Sequence, residues 1–185
     1  MKICLDAGHS YGLNGQGQDP GACNERLDLK ESVIAMEIVS ILGKMLTNIG
    51  HEVVYTRTDG MNNMTLGYRT KYASSQNADI FISIHLNSSD NTKANGIETL
   101  RYPTKNPKTI SLAENVQREL IAATHATDRG VKLRSDLYVL KHTSMPAILV
   151  ETGFISNDKE ALKLKDYHYQ TSLCQAIVDG IQNVG

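Results

Sequence analysis

The segment Ile80-Phe81-Ile82-Ser83-Ile84-His85 is almost wholly apolar and ends on a histidine. A short, isoleucine-rich run of this kind is typical of a strand inside a sheet that is covered on both faces. Residues 2–5 (KICL) and 147–150 (AILV) have the same character. We therefore expect these three segments to form buried strands.

Helical patterns separate the predicted strands. Apolar residues recur every three or four positions from Lys30 to Asn48, and Gly50 supplies a stop signal. Strands alternating with helices predict an α/β fold, which we expect to be a single domain over residues 1–185 with a largely parallel central sheet and helices on both faces. The remaining predicted elements are helices in 59–76, 109–123 and 169–181 and strands at 51–56, 96–102 and 137–140.

The composition is that of an ordinary globular protein. The 185 residues are 41% hydrophobic and 21% charged, with a formal net charge of -1 and no run of like charges. Charge alone therefore suggests no partner, and we expect none among nucleic acids. The apolar stretches are too short to cross a membrane. Polar residues follow Leu5 before the apolar core of a signal peptide could form, so we expect synthesis in the cytoplasm without a signal.

Cysteine and aromatic content narrow the chemistry further. Cys4, Cys23 and Cys174 are odd in number and have no CxxC spacing, which argues against a disulfide framework and against a thiolate zinc cluster. With no Trp and two Phe, the chain would have to contact a sugar through its eight Tyr and its polar side chains.

Side chains suited to metal binding stand next to the predicted strands. His9 follows the first strand, His85 ends the segment quoted above, and Glu31 begins the first long helix. Two imidazoles and one carboxylate are suitable zinc ligands that leave a fourth position open for water. Glu151, at the end of AILV, could then act as the general base. Spacing alone leaves open the alternative that each histidine is a hydrogen-bonded structural residue.

Six short motifs, taken in order, resemble those of the zinc-dependent N-acetylmuramoyl-L-alanine amidases. This is the family of bacterial cell-wall autolysins and of many phage endolysin catalytic domains. The resemblance covers nearly the whole chain, and the combination of motifs is highly specific. The motifs are residues 5–9 (LDAGH), 19–22 (DPGA), 56–59 (TRTD), 82–87 (ISIHLN), 96–98 (GIE) and 149–157 (LVETGFISN).

The resemblance implies that His9 and His85 are zinc ligands and that Glu151 is the catalytic carboxylate. The family's third ligand is a glutamate that opens the first long helix. That residue is Glu31 here. Glu25 is the competitor, but only Glu31 is followed by the helical apolar pattern.

Further residues of the motifs concern the substrate groove. Asn87 and Ser10 are predicted to bind substrate, and Glu98 is a candidate to face the groove. Ser10-Tyr11 replace the Gly-Gly that often follows the first histidine of the family, and residues 13–18 look like an insertion. These departures put the shape of the substrate rim in question, but they do not affect the metal ligand. Arg57 and Asp59 fit a family element that we interpret as structural.

The implied reaction is hydrolysis of the peptidoglycan amide that joins the lactyl group of N-acetylmuramic acid to L-alanine. Zinc would polarise the carbonyl, and Glu151 would carry the proton. The enzyme would act on the cell wall after its release and cause lysis. Two alternatives remain: a zinc peptidase that cuts within the stem peptide, and an inactive module that binds the wall.

The other histidines and the segment between His85 and Glu151 complete the prediction. His51, His125, His142 and His168 are expected in surface or capping positions, and the loop of His142 leads to the strand of Glu151. Some relatives carry a regulatory helix between the second ligand histidine and the catalytic glutamate. Here the helix at 109–123 has its own apolar stripe and should pack on the sheet. We therefore expect no activator protein.

Overall fold

The computed structural model describes residues 1–10, 19–58 and 64–184, and its centre is a six-stranded sheet. Along the chain the strands are β1 (Lys2–Ala7), β2 (Cys23–Asn24), β3 (Leu29–Lys30), β4 (Glu52–Tyr55), β5 (Ile80–Asn87), β6 (Ile97–Arg101), β7 (Asp128–Leu133) and β8 (Ala147–Phe154). The sheet has the order β4-β1-β5-β8-β6-β7, while β2 and β3 form a separate small hairpin. Strands β4, β1, β5 and β8 are parallel, β6 is antiparallel to β8, and β7 is parallel to β6. The prediction of a largely parallel sheet is confirmed.

Helices cover both faces of this sheet, as predicted. They are α1 (Glu31–Asn48), α2 (Leu66–Ser75), α3 (Pro107–Thr124), α4 (Tyr138–Lys141), α5 (Asp158–Lys165) and α6 (Tyr167–Gln182). The larger core cluster contains buried residues of α1, α3, α5 and α6, and the smaller cluster contains residues of α2 and α4. Among the described residues, no helix combines the length and the apolar character needed to span a membrane.

Alternation along the central strands divides their side chains between the two cores. In β5, Ile82 and Ile84 belong to the larger cluster, whereas Phe81 belongs to the smaller one. Successive side chains of a strand point to opposite faces, so a strand that is buried on both faces needs apolar residues at odd and even positions alike. This requirement explains why residues 80–84 of β5, apart from Ser83, and residues 147–150 of β8 are apolar on both faces.

One predicted element is wrong, and four were not predicted: β2, β3, β7 and α5. Residues 137–140 were expected to form a strand, but Tyr138 begins the short helix α4. An apolar run of four residues has no period that separates strand from helix. One helical turn buries Val139 and Leu140 against the smaller core as well as a strand would. The strand at this edge of the sheet is β7, whose largely polar sequence DRGVKL gave no apolar signal, and α5 was also not predicted.

Candidate metal centre and active site

The start of α1 is tied to the loop that follows β1. The backbone N–H of Glu31 donates to the carbonyl of Ala22 at 2.9 Å, and that of Ser32 donates to the carbonyl of Pro20 at 3.0 Å. The first N–H groups of a helix have no partner within the helix, so the loop satisfies two of them. The partial positive charge of a helix N-terminus also favours a carboxylate at this position. Glu31 is thereby held at the carboxyl ends of β1 and β5.

Three of the predicted residues form one cluster, which we call the ligand cluster: His9, Glu31 and His85. Glu31 Oε2 lies 3.2 Å from His9 Nε2, and Glu31 Oε1 lies 2.8 Å from His85 Nδ1. One potential ligand atom from each residue lies within 4.8 Å of the other two. Glu25, the competing glutamate, is exposed and is not part of this cluster.

Glu31 is held as a carboxylate. Its Oε2 accepts a hydrogen bond from the backbone of Ala22 at 2.9 Å, and its Oε1 accepts one from the backbone of Leu86 at 3.0 Å. Burial would raise its pKa, but hydrogen bonds and charges of His85 and His9 outweigh burial and hold the pKa well below its usual range. This carboxylate therefore stays charged in the neutral pH range.

His9 is oriented by Asp19. The imidazole Nδ1 lies 2.9 Å from Asp19 Oδ1, which leaves Nε2 facing Glu31. A carboxylate on one ring nitrogen of a histidine fixes the tautomer in which the other nitrogen can bind a metal. Burial of the imidazole lowers its pKa, but the hydrogen bonds and charges of Glu31 and Asp19 outweigh burial and raise it to about 9.

Two glycines make the close packing of the ligand cluster possible. A Cβ atom at Gly8 would lie 2.4 Å from the His85 ring, and one at Gly21 would lie 2.6 Å from Glu31 Oε2. Gly21 also has a φ of +70°, a conformation that side chains rarely adopt. Any larger residue at Gly8 would displace His85, and one at Gly21 would displace Glu31 or His9.

A buried polar network behind the ligand cluster supports the His9 loop. Asp6 accepts hydrogen bonds from Thr56, Ser83 and Arg69, and the Arg69 guanidinium also donates to the carbonyls of Ala7 and His9. The carboxylate of Asp6 is 1% exposed and the side chain of Arg69 is 3% exposed. Asp6 and Asp19 stood in the quoted motifs without an assigned role, and Arg69 gave no signal in the sequence.

Arg57, interpreted as structural, donates to the carbonyls of Ala7, Gly8 and Ser32.

Glu151 lies beside the ligand cluster on the adjacent strand. It is the register partner of His85 in β8, and Glu98 of β6 is its partner on the other side. Its Oε2 is buried and has no hydrogen-bond partner among the described residues. Burial raises the pKa of Glu151 to about 7, with the charges of Glu31 and Glu98 adding to the effect and those of His85 and His9 opposing it. A carboxyl group of this kind can both accept and release a proton near neutral pH.

The two predicted substrate residues differ in their surroundings. Asn87 is partly buried at the end of β5, and its Nδ2 donates to Glu98 Oε1 at 3.0 Å. The side chain of Ser10 is fully buried, its backbone pairs with Asp19, and its Oγ has no partner among the described residues. Of the two, only Asn87 extends the row of polar side chains around Glu151. Tyr11, residues 13–18 and Asp59 lie outside the described residues.

A cavity of about 360 Å³ opens next to His9 and His85. Its far wall is largely apolar and comes from the start of α2 and from α4, the segment that was predicted as a strand. The residues of that wall include Met64, Leu66, Leu137, Tyr138 and Val139. A chain several residues long, or a sugar, can therefore approach the ligand cluster from this side.

The remaining histidines lie outside the ligand cluster, as predicted. His51 contacts the amino terminus, His125 caps the end of α3 in a left-handed conformation, and His168 packs against Tyr167. His142 follows α4, where its ring stacks on Tyr138 at 3.9 Å between centroids.

The ligand cluster fits zinc. Two imidazoles and one carboxylate are the donor set of many catalytic zinc sites. Glu31 turns one carboxylate oxygen toward each imidazole, at 3.2 Å from His9 Nε2 and 2.8 Å from His85 Nδ1, so the donor atoms of all three residues converge on one point. The hydrogen bond to Asp19 orients the His9 ring, as carboxylates commonly do for metal-binding histidines.

Comparison with known proteins gives a consistent result. The family model for N-acetylmuramoyl-L-alanine amidases matches residues 3–183. The chain is 36% identical over 184 residues to the uncharacterized protein YqiI of Bacillus subtilis, covering 98% of this chain and 83% of that protein. It is 38% identical over 181 residues to the N-acetylmuramoyl-L-alanine amidase LytC of the same organism, covering 96% of this chain and 34% of LytC, so it corresponds to about a third of LytC.

The fold has a counterpart among solved structures. The crystal structure of an N-acetylmuramoyl-L-alanine amidase from Clostridium difficile 630 superposes with a TM-score of 0.90 at 31% sequence identity. The alignment covers 98% of this chain and 94% of that chain. The family match over residues 3–183, the relatives and this fold together show that the chain belongs to the N-acetylmuramoyl-L-alanine amidase family.

Proposed function

We propose that the chain is a zinc-dependent N-acetylmuramoyl-L-alanine amidase that cleaves peptidoglycan between the lactyl group of N-acetylmuramic acid and L-alanine. The observation that carries the proposal is the placement of Glu151 beside the ligand cluster. A buried carboxylate oxygen that has no hydrogen-bond partner in the described part of the chain stands next to two histidines and a glutamate that together suit zinc. The amidase activity named for LytC supports the same reaction. We place the enzyme among the endolysins or autolysins, acting on the wall after its release.

The two glutamates of the site have different tasks. Glu31 would bind zinc together with His9 and His85, because both its oxygens are held by backbone N–H groups and face the imidazoles. When bound, zinc supplies a Lewis acid that activates water and polarises the amide carbonyl. Glu151 would serve as the catalytic residue, with the attacking water's proton passing to its carboxylate.

Glu151 would then return this proton to the departing amine of L-alanine, which leaves the lactyl group as a free carboxylate. A pKa raised to about 7 suits both steps, because the carboxyl group gains and loses its proton at little cost near neutral pH. Breaking the amide thus consumes one water, and Glu151 ends the cycle in the state in which it began.

We also infer that no activator protein is needed. The long helix between the second ligand histidine and Glu151 is α3, and its residues Leu112, Val116 and Leu120 are fully buried in the larger core. The nearby helix α4 has four residues, of which Val139 and Leu140 are buried in the smaller core. Both helices therefore pack within the fold through their buried apolar side chains.

Product analysis tests the proposed reaction. Purified peptidoglycan treated with the protein should yield stem peptides with new L-alanine amino termini and glycan strands with free lactyl carboxylates, identified by mass spectrometry. New termini further along the stem would identify a peptidase instead. An absence of new termini, with the protein still bound to the wall, would identify a binding module. The Glu151→Gln variant is the control for a contaminating activity.

A further inference from the structure

The proposed reaction gives no task to Arg129, a cation paired with Glu98 beside the site. We propose that the guanidinium of Arg129 binds a carboxylate of the substrate's stem peptide, namely the free α-carboxylate of a D-glutamate in the second position. This proposal rests on the proposed function, because it concerns the substrate of the same site.

The Arg129 side chain is fixed on two sides. Its Nε donates to Glu98 Oε2 at 2.8 Å, and its guanidinium carbon lies 4.9 Å from the centroid of the Phe154 ring. Its stem passes Gly96, where an added Cβ would lie 3.0 Å from Arg129 Cγ. Held in this way, the side chain is still 37% exposed. A fixed but accessible guanidinium loses little conformational entropy when it binds a ligand.

The two terminal nitrogens of Arg129 remain available. Among the described residues, neither Nη atom has a hydrogen-bond partner, since the one bond to Glu98 is made by Nε. A planar guanidinium matches a carboxylate with two parallel N–H···O bonds. The free edge of Arg129 therefore suits an anion with two oxygens.

Glu98 does not compete with a substrate carboxylate for the two Nη atoms of Arg129. Both oxygens of Glu98 are already used, because Oε1 accepts from Asn87 at 3.0 Å and Oε2 accepts from Arg129. Arg134, which follows β7, is held by a different carboxylate, because its Nε and one Nη donate to the two oxygens of Asp136 at 2.8 and 2.7 Å. Glu98 thus serves to hold Arg129 in place.

The distance from the ligand cluster suits the second residue of the stem. His85, Glu151 and Glu98 are register partners on three neighbouring strands, so Glu98 lies about 10 Å across the sheet from His85. Extended peptide advances by about 3.5 Å per residue. A carboxylate two residues beyond the cleaved amide is therefore within reach of the Arg129 side chain. D-Glutamate in the stem is joined through its side chain, so its α-carboxylate is free.

On the opposite side of the ligand cluster, the described residues include no arginine that could take the same role. The cavity there includes one arginine among its described lining residues, Arg69, whose side chain is 3% exposed. Its guanidinium is already hydrogen-bonded to Asp6 and to backbone carbonyls of Ala7 and His9. The peptide is therefore expected on the Arg129 side and the glycan on the cavity side.

A matched pair of synthetic substrates tests the proposal. Both are N-acetylmuramoyl tripeptides with L-alanine first and L-lysine third, and they differ only in carrying D-glutamate or D-isoglutamine second, so that one has the α-carboxylate and the other has an amide. We expect the native protein to cleave the carboxylate substrate with a kcat/KM about tenfold higher, mostly through KM. Arg129→Gln should bring the ratio of the two kcat/KM values close to one, and Arg129→Lys should leave an intermediate ratio.

The control is Lys132→Gln, which removes an exposed cation of the same strand and should keep the native ratio. Comparing two substrates within one variant separates recognition from any loss of folded protein. Equal cleavage of both substrates by the native protein, or an unchanged ratio in Arg129→Gln, would overturn the proposal while the amidase activity stands. If the native protein cleaves neither substrate at the lactyl amide, the proposed function fails and this proposal fails with it.

Discussion

His85 and Glu151 are register partners on the adjacent parallel strands β5 and β8, so their side chains project from the same face of the sheet. His85 contacts Glu31 at 2.8 Å, whereas Oε2 of Glu151 has no hydrogen-bond partner among the described residues. Neighbouring positions of the sheet thus carry two different kinds of group. The His85 imidazole already contacts Glu31 in the ligand cluster, whereas the Glu151 carboxylate can accept a proton.

This difference predicts two distinct losses of function. Glu151→Gln should keep the fold and the zinc but lower kcat by about 10²-fold to 10⁴-fold, because an amide of the same shape cannot accept the proton. His85→Ala should lose zinc as well as activity, because it removes a ligand. Zinc content and activity measured on both purified variants check this. Release of the zinc by Glu151→Gln would mean that Glu151 is itself a ligand.

The metal-free protein should lose stability as the pH rises. His9 has a pKa of about 9 in the folded chain against an ordinary value of 6.5, so protonated His9 stabilises the fold fully below pH 6.5, and this contribution is lost as the pH rises through about 9. Thermal unfolding of the chelator-treated protein across this range measures the loss. His9→Gln, which has no proton to lose, should show a smaller decrease. Parallel curves for the two proteins would contradict the assignment. Zinc binding should instead strengthen with pH, since the metal displaces the proton.

The buried pair of Asp6 and Arg69 should be important for folding. Its two side chains are 1% and 3% exposed and lie 2.6 Å apart. Asp6→Asn leaves the guanidinium buried without its counter-charge, which should lower the free energy of unfolding by about 3 to 5 kcal/mol. The matched control is Glu52→Gln, which breaks the exposed pair with Lys2 and should cost less than about 1 kcal/mol. Urea denaturation compares the two variants, and equal midpoints would show that the buried pair has no special role.

The protein alone should clear suspended cell walls. The packing of α3 and α4 into the two cores leaves neither helix free to act as a plug over the ligand cluster. The fall in turbidity of purified walls measures the activity, with Glu151→Gln as the blank. A requirement for a second protein, relieved by deleting part of residues 103–135, would show that this segment is inhibitory.

The parts of the fold that could be predicted are those in which one physical requirement determines the pattern. Residues 80–84 of β5 are apolar apart from Ser83 because both faces of the strand are buried, and α1 shows a helical period because one of its faces packs on the sheet. Residues 137–140 gave no such constraint, since an apolar run of four residues is compatible with either structure. Strand β7 is at the edge and largely polar, so neither its position nor its pairing with β6 left an apolar signal.

The candidate site shows the same division. His9, His85 and Glu151 could be proposed because strand ends and family motifs both indicated them, and Glu31 could be proposed because it opens the first long helix. Arg69 and Arg129 could not be identified, because their roles depend on contacts with residues distant in the chain, Asp6 in one case and Glu98 and Phe154 in the other. A single arginine on a helix or an edge strand looks like any exposed cation until the fold places its partners.

The most direct test of the whole account is the zinc content of the purified protein, measured together with its activity before and after chelation. The ligand cluster of His9, Glu31 and His85 predicts one zinc per chain, loss of activity when the zinc is removed, and recovery when one equivalent is restored. A protein that contains no metal and still cleaves the lactyl amide at its full rate after exhaustive chelation would contradict the account.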